Sequence, residues 1–196
     1  MYARTHQTVT QVLTVGCIDL TATLNPHLAS LLPCSIPLLV GSHYGAVFPD
    51  IDNSKAMICK NTGVCGKWVA HHLQHRTWTH TGWIVIFYYA LALLSNILLT
   101  GVPGIMHAII TSFLLGFAWG NMWHIIEDNF STMGVLFWYP FGEYLDNKTN
   151  TGKHKQRKYS MFRYRTGGPF ETSLYYIASA ILMVLYLYLW QLLFYK

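Results

Sequence analysis

A few side chains able to hold a cation or move a proton interrupt an otherwise apolar sequence. They are His6, Asp50, Asp52, His75, His80, His124 and Asp128, with Arg76 beside His75. In "HIIED", His124 and Asp128 are four residues apart. On a helix they share one face, and an imidazole nitrogen with a carboxylate oxygen on adjacent turns can grip one divalent cation. Taken alone, the pair reads better as a polar helix end facing headgroups. Glu127 falls on another face and is left out. In "FPDID", Asp50 and Asp52 follow Pro49, which stops a helix and turns the chain. Two such carboxylates suit metal coordination or general-base work, and suit a solvated turn equally well. "HRTWTH" supplies His75 and His80 as ligands or proton carriers, and Arg76, whose planar fork matches phosphate oxygens. The alternative is an interfacial segment anchored by Trp78, as by Trp83 just beyond it. His6, in "ARTHQT", precedes the first expected helix.

The elements that must position these residues are membrane helices. The 196 residues are 53% hydrophobic and 11% charged, against roughly 25% charged in soluble domains. That balance excludes disorder and points to a membrane protein. Thr77 to Ile126 is a run of 50 residues without Asp, Glu, Lys or Arg, and Thr172 to Tyr195 adds 24. A spanning helix needs about 20. Helices are expected near Trp83–Thr100, Ile105–Ile126 and Ser173–Phe194, with "GVPG" turning the chain between the first two. Two more are expected N-terminally, one over residues 8–24 and one kinked by Pro26, Pro33 and Pro37. Asp19, a lone acid in such a helix, should face protein or water. The fold class is therefore all-α: a polytopic membrane bundle of about five helices, one domain over residues 1–196. No secretory signal pattern is present.

With five spans, Arg4, the loop before the third helix (Lys55, Lys60, Lys67, Arg76) and the loop at 146–168 fall on one side. The last loop holds Lys148, Lys153, Lys155, Arg157, Lys158, Arg163 and Arg165. Lys and Arg mark the cytoplasmic face, which places the N-terminus inside, the C-terminus with Lys196 outside, and the chain in the inner membrane. The same topology gathers the candidate ligands at the cytoplasmic helix ends. The basic loop, with His154, reads as a topology determinant touching anionic headgroups, ahead of a contact with an acidic protein. Nucleic acid is not an expected partner. His71 and His72 read as solvated on a short helix. His27, His43 and His107 read as core or interface histidines, with His43 able to reach the site if its segment is helical. Cys17, Cys34, Cys59 and Cys65 lack a zinc spacing and read as plain thiols.

Arg4–His6 ("RTH"), Pro49–Asp52 ("PDID"), His75–His80 ("HRTWTH"), His124–Asp128 ("HIIED") and Ser131–Pro140 ("STMGVLFWYP") occur in this order. Together they resemble the YdjM-like family of LexA-binding, inner-membrane-associated, metal-dependent hydrolases. That family is similar to the zinc-dependent phospholipase C and P1 nuclease group, where a helical scaffold holds zinc ions. The resemblance implies that His124 and Asp128 are ligands, with Asp50 and a histidine of His75–His80, His80 preferred. It matches His6 to an N-terminal histidine ligand. The family's T-H-S reads Thr79–His80–Thr81 here, and the remaining ligands of a three-zinc cluster have no counterpart. One or two zinc ions are therefore expected.

The function that follows is metal-dependent hydrolysis of a phosphoester, with membrane lipid as the expected substrate. Asp52 or Asp50 would orient or deprotonate water, and Arg76 with His75 would hold the phosphate. The second reading is a non-enzymatic adaptor with a structural metal, tethering a cytoplasmic LexA-type repressor through the basic loop. A transporter ranks lowest, since no internal repeat is present.

Overall fold

The computed structural model describes residues 1–25, 32, 34–132, 134–141, 144–146, 151–153 and 164–194. His27, Pro26, Pro33, His154, Lys148, Lys155, Arg157, Lys158, Arg163 and Lys196 lie outside them. The expectations for the basic loop therefore fall mostly outside as well.

The first helix, α1 (Ala3–Leu24), buries polar residues and exposes apolar ones. Thr5, His6, Thr10, Gln11, Thr14 and Asp19 are buried, while Leu20 and Leu24 are exposed. The inversion suits a helix whose outer surface meets lipid. His6 is thus inside α1, not before it. Within "RTHQT", Thr5 and His6 are buried while Arg4 is exposed. Asp19 is buried, as expected, with both carboxyl oxygens unpartnered among the described residues.

Next come α2 (Ser35–Gly45), a 3-10 turn at Phe48–Asp52, the short α3 (Met57–Asn61) and α4 (Gly63–His72), and a second 3-10 turn at Trp78–His80. Then α5 (Gly82–Leu98) and α6 (Gly104–Asn129) form an antiparallel pair around the expected "GVPG" turn, and α7 (Pro169–Phe194) closes the chain. Between α6 and α7, β1 (Tyr144–Asp146) pairs antiparallel with β2 (Thr151–Lys153), Leu145 opposite Gly152.

Two of these helices, α6 and α7, are long and apolar enough to cross a membrane, with mean hydropathies of 1.3 and 2.0. That is fewer than the five spans expected. With 17 residues, α5 is about 25 Å long against a hydrocarbon core of about 30 Å. The polar stripe of α1 lowers its hydropathy, and α2 has 11 residues.

Backbone contact between α2 and α6 sets the site. Gly41 and Gly45 on α2 face Gly116 and Gly120 on α6, each pair spaced four apart. A Cβ on Gly116 would lie 2.1 Å from Leu38 O, and one on Gly45 would lie 2.2 Å from Phe117 O. Small residues at this spacing let two membrane helices touch along their backbones. The contact carries the end of α2, and the Phe48–Asp52 turn after it, against the C-terminal half of α6. Gln11 ties three helices together: its amide donates to Ser42 Oγ (2.8 Å) and Leu39 O (3.1 Å), and it accepts from Tyr186 OH (3.0 Å). Val15, Ala22, Leu32 and Leu189 form an apolar core between α1 and α7.

Candidate metal centre

Two turns and two helix ends converge. The Phe48–Asp52 turn brings Asp50 and Asp52, the 74–80 segment brings His75, Arg76 and His80, α6 brings His124, Glu127 and Asp128, and α1 brings His6. His6, His80 and His124 are completely buried, Asp52, Glu127 and Asp128 nearly so, and Asp50 and His75 are half-buried.

Asp52 organises the turns. It accepts hydrogen bonds from His75 Nδ1 (2.7 Å), from the Arg76 backbone N–H (3.1 Å) and from Thr79 Oγ1. The Arg76 bond holds that residue at φ 65°. A left-handed backbone costs a non-glycine residue on the order of 1 kcal/mol, and such strain gathers at functional sites. The turned chain delivers the Arg76 guanidinium to Asp128 Oδ2 (2.7 Å), Ser131 Oγ (2.9 Å) and Gly134 O (2.8 Å). Ser131 and Gly134 belong to the "STMGVLFWYP" stretch, so that motif seats the guanidinium.

The histidine tautomers follow from their partners. His124 Nδ1 donates to Ala46 O at 2.7 Å, which leaves Nε2 a lone pair. His80 Nδ1 lies 2.9 Å from the Thr79 hydroxyl and 3.4 Å from Asp52 Oδ2. Thr79 donates to Asp52, so His80 Nδ1 is the donor and its Nε2 also faces inward. The two Nε2 atoms stand 3.3 Å apart. Asp50 Oδ1 is 3.7 Å from His80 Nε2 and 3.8 Å from His124 Nε2, and Asp128 Oδ2 is 3.9 Å from each. Tetrahedral ligands at zinc distances of about 2.0–2.2 Å stand roughly 3.3–3.6 Å apart. Donors at these separations could hold a cation between them once both Nε2 atoms are unprotonated.

A second group adjoins the first. His6, His124 and Asp128 offer donor atoms within 4.8 Å of one another, as do Asp50, Asp52, His75 and His80. His6 Nδ1 bonds Glu127 Oε2 at 2.6 Å, and its ring stacks on His124 at 4.0 Å. His6 Nε2 lies 3.4 Å from Asp128 Oδ1 without a hydrogen-bond partner. The Met1 amino nitrogen also reaches Asp128 Oδ1, at 2.8 Å. All eight residues singled out in the sequence therefore come together. Glu127, set aside in the sequence reading, belongs to the site as the partner of His6. Thr79 and the Ala46 carbonyl orient the ligands. His43 is helical but exposed and bonds Gln7 instead, His107 bonds Asn96, and His71 and His72 are exposed on α4.

Burial and neighbouring charges pull against each other in the two turns. Burial opposes ionisation of Asp50 and Asp52, but His124 and His80 around Asp50, and His75 and His80 around Asp52, hold both carboxyls well below the usual range. Burial likewise disfavours a charged His80, yet hydrogen bonds and charge from Asp50 and Asp52 raise it from 6.5 to about 9. In metal-free protein, the stability due to His80 is complete below pH 6.5 and is lost as pH rises through about 9. That due to the two aspartates is present above 3.8 and lost as pH falls through their depressed values. The melting temperature of chelator-treated protein should therefore peak between these limits and decline toward pH 9. A profile flat from pH 6 to 9.5 would contradict this charge arrangement.

A search of curated proteins and of solved structures returns no significant match to the chain. The family model described as YdjM inner membrane protein matches residues 1–196, the full length, and the chain belongs to that family.

Proposed function

We propose that the protein is a membrane-embedded, metal-dependent hydrolase of phosphoesters, acting on a phospholipid at the bilayer surface. The observation that carries this reading is the four-donor cluster of His80 Nε2, His124 Nε2, Asp50 Oδ1 and Asp128 Oδ2. Nitrogen and oxygen donors in this combination suit zinc, and a second ion would find His6 and Asp128. A bound zinc-class ion would supply a water that ionises near neutral pH.

The remaining steps belong to the chain. Asp52, its two oxygens occupied by three donors, acts by orienting His80 and His75 and not as a free base. The site opens where Asp50 and His75 are half-buried. There His75, its Nδ1 fixed by Asp52, presents Nε2 to an incoming substrate and is placed to give the leaving group a proton. Arg76 holds Asp128 and keeps a positive charge beside the developing phosphate charge, with its Nε unpartnered. The 26 residues of α6 span about 39 Å. Its C-terminal end, with His124 and Asp128, thus lies at headgroup depth, where the scissile bond of a phospholipid sits. The N-terminus and the site are assigned to the cytoplasmic side on the charge distribution.

The test is release of phosphate or headgroup from phospholipid vesicles by purified protein, with and without chelator. Chelator-insensitive hydrolysis, or none with metal bound, counts against the reading. His75→Ala should lower kcat by about a hundredfold or more. Its bound metal should not change. An unaltered kcat would remove His75 from the reaction.

A further inference from the structure

A second concave feature lies in the same bundle. A cleft of about 450 Å³ runs among α1, α2, α5 and α6, lined by Thr14, Ile18, Leu38, Tyr89, Leu115 and Trp119 with their neighbours, and its walls are overwhelmingly apolar. Its size falls within the roughly 300–1,000 Å³ of small-molecule sites. Leu115 and Trp119 precede His124 by nine and five residues, about 14 and 7 Å along α6. On α1, Thr14 lies eight residues beyond His6, about 12 Å. The cleft is thus at hydrocarbon depth, while the metal ligands lie at the headgroup end of the same two helices.

Between the two regions lie polar atoms without partners among the described residues. Thr10, one turn from His6 and one from Thr14, is fully buried with an unpartnered hydroxyl. Asn121, one turn before His124, is fully buried with both amide atoms unpartnered. The Trp119 indole N–H has no partner either. Buried polar groups of folded proteins are nearly always satisfied, and Trp119, which lines the cleft, offers its indole N–H to a polar ligand group there. Metal ligands, then buried polar atoms, then an apolar cleft follow the order of a glycerophospholipid: phosphoester, ester oxygens, acyl chain.

We propose that the cleft between α1, α2, α5 and α6 binds one acyl chain of the phospholipid whose phosphoester lies at the metal cluster. The headgroup half of this proposal rests on the phosphoesterase reading. The tail half rests on the cleft itself. Because the cleft lies within the spanning length of α6, where lipid chains are the surrounding medium, its occupant is an acyl chain and not a peptide.

The experiment uses full-length protein in lipid nanodiscs with a phosphatidylglycerol carrying a diazirine in one acyl chain, and maps the crosslinks by mass spectrometry. Label is expected on α1 between Thr14 and Ala22 and on α6 between Ser112 and Trp119. Leu115→Trp and Ser112→Trp, which fill the cleft, should each lower that label by about tenfold. Label on the lipid-facing Ile177 and Trp190 of α7 should not change. Either folded variant suffices if the other fails to fold. Cleft label that persists in a filled variant, or label confined to outward surfaces, overturns the proposal. The readouts separate the two ideas. Cleft label that responds to filling in a protein unable to hydrolyse any phosphoester supports the acyl-chain site and removes the phosphoesterase reading. Hydrolysis of a water-soluble phosphoester, with cleft label indifferent to filling, does the opposite.

Discussion

Replacing His124 by alanine is expected to strip the protein of bound metal and of hydrolysis while the bundle stays folded. His124 Nε2 lies 3.3–3.9 Å from His80, Asp50 and Asp128 donor atoms, so its removal takes one donor from the four-donor cluster and one from the group it forms with His6 and Asp128. Outer-shell partners alone are worth roughly 10–100-fold in metal affinity, so a direct ligand should cost more than about a hundredfold. Competition against a chelating dye reads that change, and metal retained at wild-type affinity would refute the assignment. His124→Ala is a cleaner probe than Asp128→Asn. Asp128 also neutralises Arg76, and breaking one side of a buried ion pair costs about 3–5 kcal/mol by itself. The alanine variant loses a ring stacked on His6 and one hydrogen bond to Ala46 O, a smaller structural loss.

Gly120→Leu should be among the most destabilising single changes. Its Cβ would lie 2.2 Å from Ser42 O and 2.7 Å from Ala46 N, backbone atoms that cannot move aside without separating α2 from α6. Overpacking usually costs about 1–3 kcal/mol, and this case belongs at or above the upper end. The displaced segment includes Ala46, whose carbonyl orients His124, so metal binding should fall together with stability. Gly104→Ala is the control. No atom lies within 4 Å of a Cβ there, and the change should stay within about 0.5 kcal/mol. Equal unfolding midpoints for Gly120→Leu and the native protein would show that the glycine contact does not hold α2 in place.

The clustered residues were legible in the sequence because their side-chain types are rare in an apolar chain. The helical spacing of His124 and Asp128, and the turn signalled by Pro49, place them without knowledge of the fold. The apolar runs likewise located α5, α6 and α7 to within a few residues. Glu127 was missed because it was judged by its helical face alone. An i,i+3 neighbour of His124 is only about 60° away, and a glutamate is long enough to reach His6 across from α1. His6 was misplaced because a polar N-terminal run looks solvated unless its burial is known. The α2–α6 contact had a signal, Gly41 with Gly45 and Gly116 with Gly120, each spaced as G-x-x-x-G. What had none is the Ala46 carbonyl, since a backbone acceptor leaves no trace in residue types. Only α6 and α7 of the five expected spans meet the length and hydropathy of a crossing helix. Charge-free segments show where a helix can enter lipid, but α1 fills its interior face with threonines, a histidine and a glutamine that lower its apolar signal.

The central claim is that a cation sits among His80 Nε2, His124 Nε2, Asp50 Oδ1 and Asp128 Oδ2. The most direct measurement is anomalous scattering at the zinc absorption edge from crystals of the purified protein. The expected result is a peak about 2.0–2.2 Å from both Nε2 atoms, within bonding distance of at least one of the two carboxylates. No peak there at saturating zinc, with the two imidazoles bridged by a proton or water instead, would contradict the account.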